Sequence, residues 1–246
     1  MNILIVNDDG YQAKGLALLI KALAPFGNLY VAAPKEPQSG QSQAITITNK
    51  IEAYDIDPLI GTTETLVVNG TPADAVRMGL KFFNVDFDLV VSGINHGVNI
   101  ASDVLYSGTV AAAIEAKILG IDAIAISAAD VHLPYLFDET YKLFDEILET
   151  KVYQFNGILN INFPKASFAR PQGVKITNQG LRLQHTEFTL SEKTDVYYIK
   201  SSLIHYEEHP DSDVVAYENG YISMTPLKLD RTDHAYIKKI LRDEQH

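Results

Sequence analysis

The sequence contains no cysteine, which excludes disulfides, thiolate zinc sites and a cysteine nucleophile. No apolar run approaches the roughly 18–20 residues that span a bilayer. No basic region precedes the apolar start MNILIV, so a signal peptide is not expected and a cytoplasmic protein is. Basic residues are outnumbered: 20 Lys and Arg against 31 Asp and Glu give a formal net charge of −11. No stretch is densely basic, which argues against duplex nucleic acid as a partner, since its backbone calls for clustered cations. A small anionic substrate remains compatible with this balance, because a bound metal inverts the local field inside an acidic protein. No GxGxxG follows the first apolar run, so a nicotinamide-dependent dehydrogenase is not expected.

The 246 residues, 46% hydrophobic and 21% charged, have the composition of an ordinary globular chain long enough for a large core. Over the first 165 or so positions, strand-like and helix-like patterns alternate. Strands are expected at NILIV (2–6), LYVAAP (29–34), ITITN (45–49), TLVVNG (65–70), FDLVVSG (87–93), DAIAIS (122–127) and GILNINFP (157–164). Helices are expected over 13–27, 71–83, 107–120 and 133–150, with Thr71 as an N-cap before Pro72. That alternation predicts an α/β fold, a doubly wound and mostly parallel sheet covered on both faces. From about residue 170 the chain turns β-branched and aromatic, with turn signals NQG, HPDSD and ENG, and ends in a helical pattern, DHAYIKKILRDEQH. The chain therefore reads as one domain, with a core over 1–165 and a β-rich C-terminal extension over 166–246 that covers a sheet edge or reaches another subunit. Asp230 and His234, four apart at the start of the last helix, are placed to cap and to pair.

The unusual chemistry lies where strands end. NDDG follows the first strand, PQSGQS the second, and SGINHGVN the strand FDLVV, leading on to YSGT at a helix start. In a doubly wound sheet such loops share one rim, where ligands collect. Asp8 and Asp9 offer carboxylates, Ser39 a hydroxyl and Asn95 an amide carbonyl. An all-oxygen set suits a hard divalent cation, Mg²⁺ or Mn²⁺, one per subunit, and suits zinc poorly. The histidines, His96, His132, His185, His205, His209, His234 and His246, are dispersed, and His96 reads as a bystander near the site. Ser107, Gly108 and Thr109 open a helix, where free N–H groups and the dipole favour phosphate. Each of these features also has a plain structural reading: a turn for the aspartates, an N-cap for Ser107, a Gly/Asn turn for SGINHGVN. Their convergence points to metal-assisted phosphoryl chemistry.

The opening NILIVNDDG also looks like a response-regulator receiver domain. That reading fails at its essential residue, because FDLVVSG ends in Ser92 and Gly93 where a phosphoacceptor aspartate belongs. NDDG with PQSGQS, NGTPADAV, DLVVSGINHGVN, DVLYSGTVAAAIEA and the late HPDSD and ISMTPLKLDRT resembles the SurE family, the metal-dependent survival-protein nucleotidases, in order from residue 1 to about 232. The resemblance implies a Rossmann-like fold and hydrolysis of nucleoside 5′- and 3′-monophosphates, with broad phosphatase or exopolyphosphatase side activity. It places Asp8, Asp9, Ser39 and Asn95 at metal-ligand positions, Ser107, Gly108 and Thr109 in a phosphate-proximal loop, and Asn99 beside them. It implies catalytic roles for Asp8, Asp9, Asn95 and Ser107, and a homodimer or homotetramer built through the C-terminal arm. The departures from the family pattern are Ala75 where many relatives carry Cys, Ala101 and Ser102 where a glycine is common, and Tyr197 where Trp is frequent; none falls on a metal-ligand position. Ser107 as a covalent nucleophile is less favoured than direct attack by water, because no histidine is placed by sequence to activate it. A nucleotide-binding regulator without turnover, and an interaction protein using the β-rich arm, are the alternatives from other classes.

Overall fold

The computed structural model describes residues 1–192, 195–204 and 207–243; His205, His246 and the end of the last expected helix lie outside them. The first expected strand is β1 (Asn2–Val6). It is followed by α1 (Lys14–Leu23), β2 (Asn28–Pro34), β3 (Glu52–Ile56), β4 (Glu64–Asn69) and α2 (Pro72–Phe82). Then come β5 (Leu89–His96), α3 (Gly108–Ile118), β6 (Ala123–Ala128), α4 (Leu136–Thr150) and β7 (Ile158–Phe163). The remainder holds β8 (Val174–Ile176), β9 (Leu183–Leu190), β10 (Tyr197–Ile204), α5 (Asp213–Glu218), β11 (Ile222–Leu227) and α6 (His234–Asp243).

The main sheet runs β3-β4-β2-β1-β5-β6-β7-β11-β8. All pairings from β4 to β7 are parallel; β3 on β4 and β11 on β7 are antiparallel. This is the expected α/β architecture, and the strand order reverses direction between β1 and β5, a topological switch point where crevices form. β1 is apolar on both sides because both sides are covered. Ile3 and Ile5 pack with Leu16, Leu19 and Leu23 of α1 and Phe144 of α4. Leu4 and Val6 pack with Val76 of α2 and Ala112 and Ala116 of α3. All of these are fully buried, each worth about 1.5–3 kcal/mol for a branched or aromatic side chain. Close approach fixes two helices: a Cβ on Gly15 would lie 1.9 Å from the Ile94 carbonyl oxygen, and one on Gly79 2.8 Å from the Ala32 Cβ.

Thr71 caps α2 as expected, within a capping box shared with Asp74. ITITN does not form a strand; β3 forms further on, at Glu52–Ile56. The reason is a competing partner. The Thr46 N–H and hydroxyl donate to the Asp74 carboxylate, at 2.9 and 2.7 Å, and so are unavailable to a ladder. Burial pushes the Asp74 carboxyl up, but the hydrogen bonds from Thr46 and Thr71 outweigh it and hold the group below its ordinary range.

In the C-terminal portion, β8 and β11 join the main sheet, and HPDSD leads into α5 rather than a simple turn. Among the described residues β9 and β10 pair only with each other, antiparallel. Phe188, Tyr197, Tyr198 and Ile199 on them are solvent-exposed. Asp230 pairs with His234 at 2.8 Å, but the cap is Asp233, whose carboxylate accepts the Tyr236 N–H. Among the described residues no helix is long and apolar enough to cross a membrane.

Candidate active site

The four loops singled out in the sequence meet at the carboxyl ends of β1, β2 and β5. A cavity of about 240 Å³ there is lined by Asp8, Ser39, Gly40, Asn95, His96, Asn99, Asp103, Tyr106 and Ser107. Hydrogen bonds tie the loops together: Gln38 N–H donates to the Asp8 carbonyl at 2.7 Å, and Ser42 N–H to that of Tyr106 at 3.0 Å. Gly10, at φ +94°, permits the turn that takes the chain away from the acidic pair.

The chain bends at Asp8 and Asp9, just past the end of β1 at Val6, so the strand alternation does not carry into the pair. Asp8 points towards α3, where the Thr109 hydroxyl donates to Oδ1 at 2.5 Å and the Thr109 N–H to Oδ2 at 3.2 Å. Asp9 points towards β5, and its Oδ2 accepts the His96 N–H at 3.0 Å. Gly108 lets α3 start against Asp8; a Cβ there would sit 2.9 Å from the Asp8 Cβ and 3.0 Å from both its Oδ2 and the Pro72 Cγ. Burial pushes the Asp8 carboxyl up to about 6; the Thr109 hydroxyl opposes this and the Asp9 charge adds to it. None of the ion pairs among the described residues involves Asp8 or Asp9. Two adjacent carboxylates, one only 4% exposed, thus stand without a cationic partner.

Asn95 follows a register shift between β5 and β6 at Ser92/Asn95. Its Nδ2 donates to the Gly97 carbonyl at 2.7 Å, which directs Oδ1 away from that bond and leaves it as an oxygen donor. Ser39 is exposed in its loop. The donor set is therefore oxygen only and carries two negative charges, and it fits a hard divalent cation.

Ser107 serves as cap and as lining at once: its hydroxyl accepts the Val110 N–H at 3.1 Å while the residue faces the cavity. The Thr109 N–H goes to Asp8 and the Ala111 N–H to the Ser107 carbonyl, leaving the Gly108 N–H as the open donor of that turn. Thr109, at 0% exposure, does not line the cavity; both its polar groups hold Asp8. Asn99 is held by a buried polar ladder. Its N–H donates to Asn162 Oδ1 at 2.7 Å, its Nδ2 to Ser127 at 2.8 Å, and its carbonyl accepts the side chains of Asn160 and Asn162. The loop after Asn99 is pinned from the far end of the chain. Asp213 accepts the N–H groups of Ala101 and Gly180, at 3.0 and 2.9 Å, and burial raises its carboxyl. Asp103 pairs with Arg182 at 3.1 Å.

Sequence reasoning missed Asp103 and Tyr106 as lining, and Ser127, Asn160, Asn162 and Asp213 as supports. The signal for Asn160 and Asn162 was present: two amides at i and i+2 within an otherwise apolar buried strand share one face and need partners.

A doubly wound α/β chain with an oxygen-rich acidic cavity at its switch point has the architecture in which ligands bind at the carboxyl edge of the sheet. The profile of the family described as Survival protein SurE matches residues 3–186. The chain is 36% identical to the 5′-nucleotidase SurE of Halorhodospira halophila over 98% of this chain and 96% of that one. It is 37% identical to the 5′-nucleotidase SurE of Christiangramia forsetii over 97% and 95%. The crystal structure of the SurE protein from Aquifex aeolicus superposes with a TM-score of 0.83 at 32% identity, covering 99% of this chain and 100% of that one. The chain belongs to the SurE family.

Proposed function

We propose that this chain is a metal-dependent 5′-nucleotidase that hydrolyses nucleoside monophosphates to nucleoside and phosphate. The observation that carries the reading is the buried Asp8 carboxylate, with no ion-pair partner among the described residues, next to Asp9 in the chain and lining with Ser39 and Asn95 a cavity that Ser107 at the start of α3 also lines. Asp8, Asp9, Asn95 and Ser39 would hold one Mg²⁺ or Mn²⁺ ion. Such an ion, when bound, neutralises phosphoryl charge and makes water a better nucleophile near neutral pH.

The chain's own groups do the rest. Ser107 and the Gly108 N–H present donors to the phosphoryl oxygens at a helix N-terminus. Thr109 fixes the Asp8 rotamer, and so acts on the phosphate through Asp8. Asn99, clamped by Ser127, Asn160 and Asn162, offers the remaining side-chain contact; the Ser127 hydroxyl both donates and accepts, so the Asn99 amide is free to turn its NH₂ to an anion. In this reading Asp9 would take the proton of the attacking water. The Ser107 hydroxyl has the Val110 N–H as its partner and no base bonded to it, which favours water over Ser107 as nucleophile; a phosphoserine found after rapid quench would reverse this.

In this reading the chain is one cytoplasmic domain whose C-terminal arm, the hairpin β9 with β10 and the helix α6, builds a homodimer or homotetramer. The hairpin exposes Phe188, Tyr197, Tyr198 and Ile199, and α6 exposes Tyr236, Ile237, Ile240 and Leu241 along one stripe.

Phosphate release from 5′- and 3′-monophosphates, measured with Mn²⁺, with Mg²⁺ and after EDTA, tests the function. Turnover that requires metal and is lost in Asp8→Asn supports it. Near-wild-type turnover in Asp8→Asn would sink the mechanism. Intact nucleotide recovered from a metal-dependent complex would make this a binding protein instead.

A further inference from the structure

A second group of metal-competent side chains stands beside the cavity. His96 ends β5; Asp130 and His132 follow β6, its parallel neighbour, with His96 opposite Ala128 in the register. One donor atom from each of the three lies within 4.8 Å of the others. The arrangement is held in place: Asp130 Oδ1 accepts the His132 N–H at 2.9 Å and is 2.8 Å from its ring Nδ1. The two imidazoles meet edge to face, 6.2 Å between centroids and 70° between planes. The Gly97 N–H on the Ala128 carbonyl, at 2.8 Å, joins the two loops. The Lys14 Nζ lies 3.0 Å from His132 Nε2, so a positive charge already occupies the cluster. Both histidines are solvent-exposed, open to an arriving ion.

We propose that His96, Asp130 and His132 form a second cation site that takes a late first-row divalent ion, zinc above all. Two imidazoles and one carboxylate are a nitrogen-rich set, complementary to the oxygen-only set of Asp8, Asp9, Ser39 and Asn95. Remaining positions are filled by water. Lys14 is the internal competitor. Its ammonium donates to the His132 ring in the ion-free protein and is driven off by the charge of the incoming cation, so its removal tightens binding. The two sites share a wall, because the residue that supplies an imidazole here, His96, also gives its backbone N–H to Asp9. This inference does not depend on the nucleotidase reading, since it concerns a separate donor set.

Co²⁺ is the probe, because its visible absorption reports ligand type. The full chain carrying Asp8→Asn, which weakens the oxygen set, is titrated and its metal content is measured after gel filtration. It is expected to retain one tightly held equivalent. Adding His132→Ala, at an exposed position, is expected to weaken that binding by at least about tenfold and change the spectrum, and adding Lys14→Ala to strengthen it. Equal Co²⁺ affinity and spectra with and without His132→Ala would overturn the proposal, as would the absence of any retained Co²⁺ in the Asp8→Asn chain. Loss of turnover in Asp8→Asn tests the other site and leaves this one standing.

Discussion

Replacing Asp8 by Asn is expected to cost the protein its activity and relieve its fold. In the metal-free protein the Asp8 carboxyl is raised from 3.8 to about 6 by burial and the neighbouring Asp9. The native state therefore holds this proton more tightly than the unfolded chain does. The resulting stability is complete below about 3.8 and is lost as pH rises through about 6. A shift of roughly two pKa units corresponds to about 3 kcal/mol. In Asp8→Asn nothing ionises at this position, so the loss is absent. The poorer bond from Thr109 costs the variant an amount that does not vary with pH. The stability of wild type relative to the variant should thus fall by about 3 kcal/mol between about pH 4 and about pH 7, or roughly 6–12 °C in Tm for a chain of this size. Thermal unfolding of both proteins in EDTA across that range measures it. Parallel curves would refute the reasoning. Mn²⁺ added at neutral pH should restore the wild type and leave the variant unmoved.

Gly108→Ala forces a Cβ to within 2.9 Å of the Asp8 Cβ; displacing α3 or Asp8 should lower kcat by about 100-fold, seen in steady-state assays, and stability by about 1–3 kcal/mol. Asp213→Ala leaves the Ala101 and Gly180 N–H groups without their acceptor. It is expected to cost about 2–3 kcal/mol in urea unfolding and to raise KM more than it lowers kcat, because the loop it pins lines the cavity. Asp74→Ala removes the capping box and the anchor of Thr46, which should cost about 2 kcal/mol with little change in kcat. Phe188 and Ile199 stand opposite each other on the hairpin; changing both to Asp should lower the mass measured by light scattering if the arm builds the oligomer, and an unchanged mass would remove it from the interface.

The repeating βα units were legible because their period is local. Ile3 to Val6 are apolar at every position since both faces of β1 are covered, and Thr71-Pro72 announces α2 by its own chemistry. The meeting of NDDG, PQSGQS, SGINHGVN and YSGT was legible too, since every loop that follows a parallel strand exits on the same edge. What stayed hidden depends on partners distant in the chain. ITITN has strand-like alternation, yet the Asp74 carboxylate captures Thr46, and no periodicity encodes that capture. Thr109 reads as a phosphate ligand at a helix start, while its hydroxyl is turned to Asp8 across the switch point. Asp213 reads as a turn residue, and its true acceptor role concerns an N–H far back in the sequence. The C-terminal extension was expected to cover a sheet edge or reach another subunit, and β11 and β8 do extend the sheet beyond β7; which of its strands would do so was not legible, because an edge pairing is decided by which strand lies open.

Arg182, which meets the cavity-lining Asp103, is the residue directly before β9. Ser102 and Arg182 also exchange bonds, the Ser102 hydroxyl donating to the Arg182 carbonyl at 2.8 Å and accepting its N–H at 3.1 Å. The root of the projecting hairpin and the wall of the pocket are thus joined as a crank is joined to its shaft. The residue that leads into the hairpin is bonded to two consecutive residues of the loop that walls the pocket, Ser102 and Asp103. Trimming the arm from this chain would therefore not leave the catalytic body as it was: the wall would lose its outer bearing.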